Sequence, residues 1–424
     1  MVNGKISLIG FGVSNMAVYK ELSALGYSFT VRSREDVPVP DGVRLITGDD
    51  YLCTDEDIVF RSPSCMPYRI TGKGHITTEA AFALSHIGCH TVGVTGSDGK
   101  TTVSSLIHSI LEADGRSAYL GGNNGYPLIN YMGRLKRSDF LVCELSSFQL
   151  IDLCPRLDTA VITNITPNHL DVHSSHTEYV EAKANILKCS DRAVLNYDCP
   201  EVRELSKRAN KLTYATLSPC YGRSSDNDTV YPYNGWIYRN GEAIIPMSCV
   251  RLRGDFNILN VCLAIGAVYP YVKRESIEKG VSSFSGVAHR MEHIDTKRGV
   301  EYYDSSIDST PSRTLATLSS FDKARTVVIL GGYDKNLSYE ILREGLKGIK
   351  CAIICGANSE KIYHAIEGVC NTVIRDSFTE SVKIASRIAG QGDSVILSPA
   401  SASYDMFKSY KEKSGKYKEI VRGL

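Results

Sequence analysis

The chain has 424 residues, and its 48 lysines and arginines nearly balance its 47 aspartates and glutamates, which leaves a formal net charge of +1. This length predicts two or three domains at about 150 residues each, and the balanced charge excludes a bulk attraction to nucleic acid or to an anionic membrane. No apolar run reaches the roughly 18 residues that a membrane span needs, and the 13 cysteines form no C-x-x-C pair. We therefore expect a cytoplasmic monomer with reduced thiols, no membrane span and no nucleic-acid partner.

The first segment of the chain has the pattern of a βαβ unit. The strand-like run KISLI leads to Gly10 and Gly12, a helical run follows, and SFTVRS has the pattern of a second strand. A dinucleotide fingerprint would place its third glycine at Asn15, and the second strand ends in Arg32 and Ser33 instead of an acid. These departures argue against nicotinamide binding and favour a Rossmann-like domain whose glycine turn approaches another phosphorylated ligand, such as a nucleotide sugar.

A glycine-rich loop, GVTGSDGKTT, follows the strand-like run HTVGV and precedes a helical run. Its glycines Gly93, Gly96 and Gly99 have a period of three, whereas a G-x-x-x-x-G-K-[ST] loop has its first glycine six residues before the lysine. We expect the backbone amides and the helix N-terminus to surround the β- and γ-phosphates of a nucleotide. Lys100 would neutralise these phosphates, and Thr101 would reach Mg²⁺.

Alternating strand and helix patterns continue to the end of the chain, which predicts the α/β class. Glu144 ends the strand-like run FLVCE, and His169 follows another strand, so both are expected at the ligand crevice as Mg²⁺ ligands. Two Asn-Gly pairs within residues 212–250 predict a β-meander without chemistry. The strand-like runs RTVVILGG, CAIICG, NTVIRD and DSVILSP predict a small doubly wound sheet near the C-terminus.

Eight short sequence motifs follow one another along the chain, in the order GVTGSDGKTT, GGNNG, ELSSFQL, NITPNHLDVH, EYVEAKANIL, HRMEHI, LGGYDKN and LSPASASYDMF. Together they resemble the Mur ligases of peptidoglycan synthesis, over essentially the whole chain. The runs ELSSFQL and LSPASASYD are most similar to the members that add D-glutamate. The loop G-x-x-G-x-x-G-K-[ST] is shared by the wider superfamily, which includes folylpolyglutamate synthases.

The resemblance implies an α/β fold of three domains. These are a Rossmann-like N-terminal domain for the UDP substrate over 1–90, a P-loop-type central ATPase domain over 91–287, and a Rossmann-like C-terminal domain for the amino acid over 288–424. The implied reaction adds D-glutamate to UDP-N-acetylmuramoyl-L-alanine at the expense of ATP, through an acyl phosphate and a tetrahedral intermediate.

The resemblance also implies site residues and cofactors, which are ATP, two Mg²⁺ ions and a carbamylated Lys183. The implied catalytic residues are Lys100, Lys183, His169 and Glu144, and the implied metal ligands are Thr101, Glu144, His169 and Lys183. The residues implied at ATP are Gly96, Ser97, Asp98, Gly99, Lys100, Thr101, Thr102, Asn257, Asn260, Arg290 and Asp304. The residues implied at the UDP substrate are Ser14, Arg34, Asn123 and Ser146, and those at D-glutamate are Lys335, Ser403, Tyr404 and Tyr410.

One stretch departs from the family beside the incoming amino acid. The common D-S-K-A-T pattern is DSSID here, which places Ser306 at the family lysine and Asp308 at the family threonine. An aspartate would repel a dicarboxylate substrate. Either Asp308 points away from the amino acid, or Ser309 and Thr310 substitute for the missing contacts.

Two other functions remain open from the sequence. The DSSID stretch is compatible with a sister ligase that uses another amino acid, such as L-glutamate. A non-catalytic interaction protein that keeps the nucleotide loop is the alternative from a different class. The presence of Lys100, Glu144, His169 and Lys183 favours an enzyme.

Overall fold

The computed structural model describes residues 4–151, 156–166, 173–188, 190–220, 227–334 and 337–424. The chain divides into two units, one of Met1–Val250 with Asp255–Phe284 and the other of Arg251–Gly254 with Ser285–Leu424. Both units contain mostly parallel sheets connected by helices, which confirms the α/β class. Within the described ranges, no helix has the length and apolar character that crossing a bilayer requires.

The N-terminal part of the first unit is a five-stranded parallel sheet with the order β3-β2-β1-β5-β7. Its elements are β1 Lys5–Ile9, α1 Val13–Ser23, β2 Ser28–Arg32, β3 Arg44–Ile46, β4 Cys53–Thr54, β5 Ile58–Arg61, β6 Thr71–Gly72, β7 His75–Thr77 and α2 Glu79–His86. Strand β1 lies in the middle of the sheet, which explains why its apolar side chains are buried. The predicted βαβ unit is confirmed.

The remainder of the first unit is built on a nine-stranded sheet with the order β16-β15-β14-β13-β12-β11-β8-β10-β9. Its strands are β8 His90–Thr95, β9 Ala118–Gly122, β10 Phe140–Glu144, β11 Leu157–Ile162, β12 Ser190–Asn196, β13 Leu212–Ala215, β14 Asp228–Tyr233, β15 Trp236–Arg239 and β16 Glu242–Pro246. The last two strands are antiparallel and form the predicted meander. Asn234 and Asn240 adopt positive φ at its two turns, as Asn-Gly hairpins require.

Helices cover this central sheet. They are α3 Lys100–Ala113, α4 Ser147–Leu150, α5 His176–Ala184, α6 Pro200–Glu204, α7 Asp255–Val268 and α8 Arg274–Ser283. The apolar residues of α3 recur every three or four positions and are buried, as an amphipathic helix requires. Helix α8 crosses α3 closely at Gly280, where a Cβ atom would lie 2.5 Å from the Cα of Ile110.

The second unit is a six-stranded sheet with the order β17-β18-β22-β19-β20-β21, in which only β17 is antiparallel to its neighbour. Its elements are β17 Glu292–Lys297, β18 Val300–Asp304, α9 Pro311–Leu318, β19 Thr326–Leu330, α10 Leu342–Leu346, β20 Cys351–Ile354, α11 Ser359–Ile366, β21 Thr372–Ile374, α12 Phe378–Ile388, β22 Ser394–Leu397 and α13 Tyr410–Arg422. The four-residue segment Arg251–Gly254 belongs here because the Arg253 guanidinium lies over the rings of Tyr303 and Phe321.

A buried carboxyl group links the N-terminal sheet to the central one. Glu79, the first residue of α2, accepts a hydrogen bond of 2.7 Å from the backbone amide of Ile129. Burial raises the pKa of Glu79 to about 7, although hydrogen bonds from the amides of Ile129 and Leu128 oppose that rise. The neutral form of Glu79 is therefore favoured in the folded protein at mildly acidic pH.

Glu79→Gln should change the pH dependence of stability. Because the folded-state pKa of about 7 exceeds the ordinary 4.5, the contribution of Glu79 is fully present below pH 4.5 and is lost as the pH rises to about 7. Glutamine retains the acceptor oxygen and does not ionise, so the variant should gain about 2 to 3 kcal/mol relative to the parent between about pH 5 and about pH 8. Urea unfolding measures the difference in the free energy of unfolding between the variant and the parent. If this difference is the same at both pH values, the pKa of Glu79 is not shifted.

Candidate active site

The glycine-rich loop joins β8 to α3, and at each of its three glycines a larger side chain would collide with a neighbouring group. Gly96 has a φ of +151°, and a Cβ atom there would lie 1.9 Å from the hydroxyl oxygen of Thr163. Gly99 has a φ of +79°, and its Cβ would lie 2.7 Å from the side-chain oxygen of Asn260. Gly93 lies on β8 against a buried leucine side chain. The period of three therefore meets three separate packing and backbone requirements.

The segment after β11 holds the loop in place. The backbone amides of Ser97 and Asp98 donate to the backbone and side-chain oxygens of Asn164, at 2.9 and 2.8 Å. The Thr163 hydroxyl donates to the Asp98 carbonyl at 2.5 Å, and the Ser97 hydroxyl lies 2.8 Å from the hydroxyl of Tyr179. Because these two amides are bonded within the protein, we expect the start of α3 to supply the phosphate-binding amides.

Two lysines donate to one carbonyl oxygen of this loop. The Nζ of Lys100 lies 3.0 Å from the Gly96 carbonyl, and the Nζ of Lys183 lies 2.7 Å from it. Lys183 lies in the last turn of α5, is 2% exposed and packs over the ring of Tyr179 at 4.6 Å. Burial, together with the charge of Lys100, holds the pKa of Lys183 well below its usual range, although Asp98 opposes the shift. Lys183 is therefore a buried amine whose pKa lies below that of an exposed lysine, which makes its neutral form more accessible.

Glu144 meets the requirements of a metal ligand beside this loop. It ends β10 at the register position of Val94 in β8, and it is 2% exposed. Its Oε1 accepts from the side chain of Asn123 at 3.0 Å, while its buried Oε2 has no hydrogen-bond partner among the described residues. A buried carboxylate oxygen in this state is costly unless a cation satisfies it. The unpartnered oxygen of Glu144 therefore fits a divalent cation, and Thr101 follows Lys100 at the start of α3.

The two asparagines predicted at ATP lie on α7, and Asn260 lies beside the loop. Asn257 and Asn260 are buried, and the amide of Asn260 donates to Asn257 at 3.1 Å. Asn260 also lies beside Gly99, because a Cβ atom on Gly99 would lie 2.7 Å from the side-chain oxygen of Asn260. Phe256, which precedes this pair, is exposed. The structure thus brings the predicted adenine residues to the phosphate loop.

The predicted residues for the UDP substrate lie at strand ends of the first unit. Ser14 is half-buried at the start of α1, and Arg34 is exposed after β2. Asn15, which interrupts the dinucleotide fingerprint, is buried and donates to the carbonyls at the ends of β1 and β5. The hydroxyl of Ser146 caps α4 through the amide and side chain of Gln149.

In the second unit, Asp304 ends β18 and is fully buried. It accepts hydrogen bonds from Ser414 at 2.5 Å and from the amide of Ser306 at 2.9 Å, and it lies 3.2 Å from His289. Burial works to raise the pKa of Asp304, but the hydrogen bonds from His289 and Ser414 lower it below its usual value. Tyr410 packs its ring edge-on to His289. No sequence pattern indicates His289 or Ser414 as partners of this aspartate.

The predicted amino-acid residues lie after β22 and β19. Ser403 is buried, and its hydroxyl has no hydrogen-bond partner in the described part of the chain. Tyr404 is 66% exposed, and its ring meets that of Tyr333 edge-on at 6.3 Å. Arg290 forms an isolated backbone bridge with Val287. Two predicted residues, His169 and Lys335, lie outside the described residues.

The position of Asp308 supports the first of the two alternatives for the DSSID stretch, in which this side chain points away from the amino acid. Its carboxylate is buried and accepts hydrogen bonds from Thr317 at 2.7 Å and from Ser398 at 2.8 Å. Burial raises the pKa of Asp308, although these hydroxyl groups oppose the rise. Asp308 is therefore directed into the interior of the second unit, where its carboxylate is satisfied by protein groups.

Comparisons with known proteins agree with this geometry. Residues 94–268 match the Mur ligase middle domain, and residues 289–401 match the glutamate ligase domain of the Mur ligases. The chain belongs to the Mur ligase family. It is 35% identical to a UDP-N-acetylmuramoylalanine–D-glutamate ligase of Clostridium tetani, over 100% of this chain and 97% of the relative. The enzyme of the same name from Clostridium perfringens is 36% identical, over 100% and 98%.

Solved structures show the same fold at much lower identity. A UDP-N-acetylmuramate–alanine ligase from Thermotoga maritima superposes with a TM-score of 0.64 at 16% identity, covering 99% of this chain and 100% of that one. A pseudomurein peptide ligase type C from Methanothermus fervidus has a TM-score of 0.59 at 19% identity, with coverages of 99% and 100%. The Mur ligase fold is therefore shared across the whole chain.

Asp308→Asn tests whether this carboxylate faces the incoming amino acid. Asparagine keeps an acceptor for the hydroxyls of Thr317 and Ser398, so the variant should fold. Because Asp308 points into the protein, we expect the KM for the amino acid to stay within about twofold of the parent value. Steady-state ADP release at varied amino-acid concentration provides the measurement. A tenfold or larger change in this KM, roughly 1.4 kcal/mol, would place Asp308 beside the substrate.

Proposed function

We propose that this chain is an ATP-dependent amide ligase that adds D-glutamate to UDP-N-acetylmuramoyl-L-alanine. The observation that carries the proposal is the full-length match to D-glutamate ligases at 35–36% identity. The convergence of Lys100 and Lys183 on the loop next to Glu144 supports an active phosphoryl-transfer centre. A protein that had lost catalysis would have no need to keep this costly arrangement of buried polar groups.

We propose three functional domains on this fold. The five-stranded sheet would belong to a UDP-substrate domain over 1–90, and the nine-stranded sheet to an ATPase domain over 91–287. The six-stranded sheet would belong to an amino-acid domain over 288–424. The separate sheets of the chain support this division.

In the first half-reaction, an oxygen of the alanyl carboxylate attacks the γ-phosphorus of ATP. A new O–P bond forms as the bond to the β-phosphate oxygen breaks, which gives an acyl phosphate and ADP. Both reactants are anionic, so positive charge must lie close to the transferring group. Lys100 would supply part of it, and the amides at the start of α3 would bind phosphate oxygens. Asn257 and Asn260 would hold the adenine end.

In the second half-reaction, the amine of D-glutamate attacks the acyl carbon. The tetrahedral intermediate collapses to the amide, phosphate leaves, and the amine nitrogen loses its proton. We propose that Lys335, Ser403, Tyr404 and Tyr410 bind the amino acid, and that Arg290 and Asp304 serve ATP. The unpartnered hydroxyl of Ser403 supports a ligand at that position. For the UDP substrate we propose Ser14, Arg34, Asn123 and Ser146.

Thr101, Glu144 and His169 would hold two Mg²⁺ ions, with Lys183 as a carbamate completing the second site. Mg²⁺ would neutralise the charge of the transferring phosphoryl group. The unpartnered Oε2 of Glu144 supports a cation there. A neutral lysine amine can add to CO₂, with formation of an N–C bond and loss of a proton, and the lowered pKa of Lys183 makes that neutral amine more accessible. The product is an oxygen ligand of the kind that Mg²⁺ prefers.

We also propose that the protein is a cytoplasmic monomer. All cysteines in the described ranges are free thiols, which accords with a reducing compartment. A sister ligase that prefers L-glutamate remains the second candidate, because Ser306 stands at the position of the family lysine.

Substrate-dependent ADP release tests the proposal. Purified protein is given ATP, Mg²⁺, UDP-N-acetylmuramoyl-L-alanine and one member of an amino-acid panel. We expect ADP release to require both substrates and to be fastest with D-glutamate. A preference for L-glutamate would instead identify the sister ligase. ATP binding without substrate-dependent ADP release, in a folded protein, would identify an interaction protein.

A further inference from the structure

Arg61 is a fully buried arginine at the carboxyl end of β5, with an exposure of 0%. One terminal nitrogen of its guanidinium donates to the carbonyls of Pro63 and Cys65, at 3.3 and 3.1 Å. The loop that follows β5 is therefore folded around this side chain. A buried cation is costly, so a chain that keeps one normally uses it to fix a specific geometry.

The other terminal nitrogen of Arg61 reaches the central sheet. It donates to the carbonyl of Phe148 in α4 at 2.9 Å, a residue 87 positions away in the chain. Helix α4 begins at Ser147, directly after the strand that ends in Glu144. The guanidinium thus joins the carboxyl ends of β5 and β10, which belong to two different sheets. Ligands of open α/β sheets bind at such carboxyl ends.

Contacts continue from Phe148 to the phosphate loop. The ring of Phe148 stacks on His173 at 5.1 Å with an interplanar angle of 7°, and Nε2 of His173 lies 3.0 Å from the Ser147 hydroxyl. His173 in turn packs edge-on against Tyr179, whose hydroxyl lies 2.8 Å from that of Ser97. Arg61 is therefore connected to the phosphate loop through packed side chains.

The loop that Arg61 holds also borders the glycine turn of β1. A Cβ atom on Gly10, which has a φ of +73°, would lie 3.1 Å from the Cβ of Ser62. Ser14, a proposed contact of the UDP substrate, lies just beyond this turn. The same loop thus belongs to the edge of the N-terminal sheet at which the UDP substrate would bind.

We propose that Arg61 is a positioning residue that sets the distance between the UDP-substrate edge of the N-terminal sheet and the phosphoryl-transfer centre. This inference rests on the proposed function. The two terminal nitrogens of Arg61 bind backbone carbonyls in the loop after β5 and in α4. Arg61 would therefore act through these segments and not on the substrate itself. Loss of the fork should let the alanyl carboxylate sit out of line with the γ-phosphate, whereas ATP binding on the central sheet should persist.

The test uses Arg61→Lys and Arg61→Met, with Arg32→Lys as the matched control. Arg32 is a buried arginine at the end of β2, and its described partners, Glu56 and Asp55, lie within the N-terminal segment. Calorimetry gives separate dissociation constants for the UDP substrate and for ATP, and steady-state kinetics gives kcat/KM. Lysine keeps the charge at both sites, so Arg61→Lys should remain folded if Arg61→Met does not.

We expect both Arg61 variants to lose about ten- to a hundredfold in kcat/KM for the UDP substrate. The dissociation constant of ATP should stay within about twofold, and Arg32→Lys should match the parent. An unchanged kcat/KM in Arg61→Lys, a parallel loss of ATP affinity, or an equal loss in Arg32→Lys would overturn the inference. If the parent protein prefers another amino acid, only the D-glutamate assignment is wrong. If the parent protein does not bind the UDP substrate, both the proposed function and the role of Arg61 are wrong.

Discussion

The carbonyl of Gly96 is the acceptor on which the candidate active site depends, because Lys100 and Lys183 both donate to it. Two ammonium groups this close repel each other, and burial adds a cost to the less exposed one. Both effects lower the pKa of Lys183 and so make its neutral form more accessible. The carbonyl can face both lysines because Gly96 adopts a φ that other residues rarely adopt, and because Thr163 leaves no room for a side chain there.

The remainder of the site is arranged around this loop by backbone-directed hydrogen bonds. Asn164 binds the loop from the segment after β11, and Asn260 faces it from α7. Arg61 and Glu79 connect the N-terminal sheet to the central one, in each case by binding backbone groups. Such contacts fix distances with little dependence on the partner's side chain. Phosphoryl transfer between two anions needs fixed distances, since positioning supplies most of its catalysis.

The sequence predicts well those features that a local pattern determines. The period of α3, the Asn-Gly turns of the meander and the position of the glycine-rich loop between β8 and α3 are confirmed, whereas the three domain boundaries stay a prediction. The contacts of Arg61 and Asn164 could not be predicted in this way. Their partners are backbone groups far along the chain, and a residue of any type can supply such a group. Asp308 was ambiguous for a related reason, since only packing against Thr317 and Ser398 decides which way its carboxylate points.

The reactivity of the Lys183 amine towards CO₂ can be measured by ¹³C NMR of the protein in ¹³C-bicarbonate near neutral pH. A buried amine with a lowered pKa should form a carbamate at Lys183, seen as one carbonyl resonance that is absent from Lys183→Met. An ordinary lysine, with a pKa of about 10.4, is almost entirely charged at this pH and reacts little. A folded parent protein without this resonance, or a resonance that persists in Lys183→Met, would contradict the account.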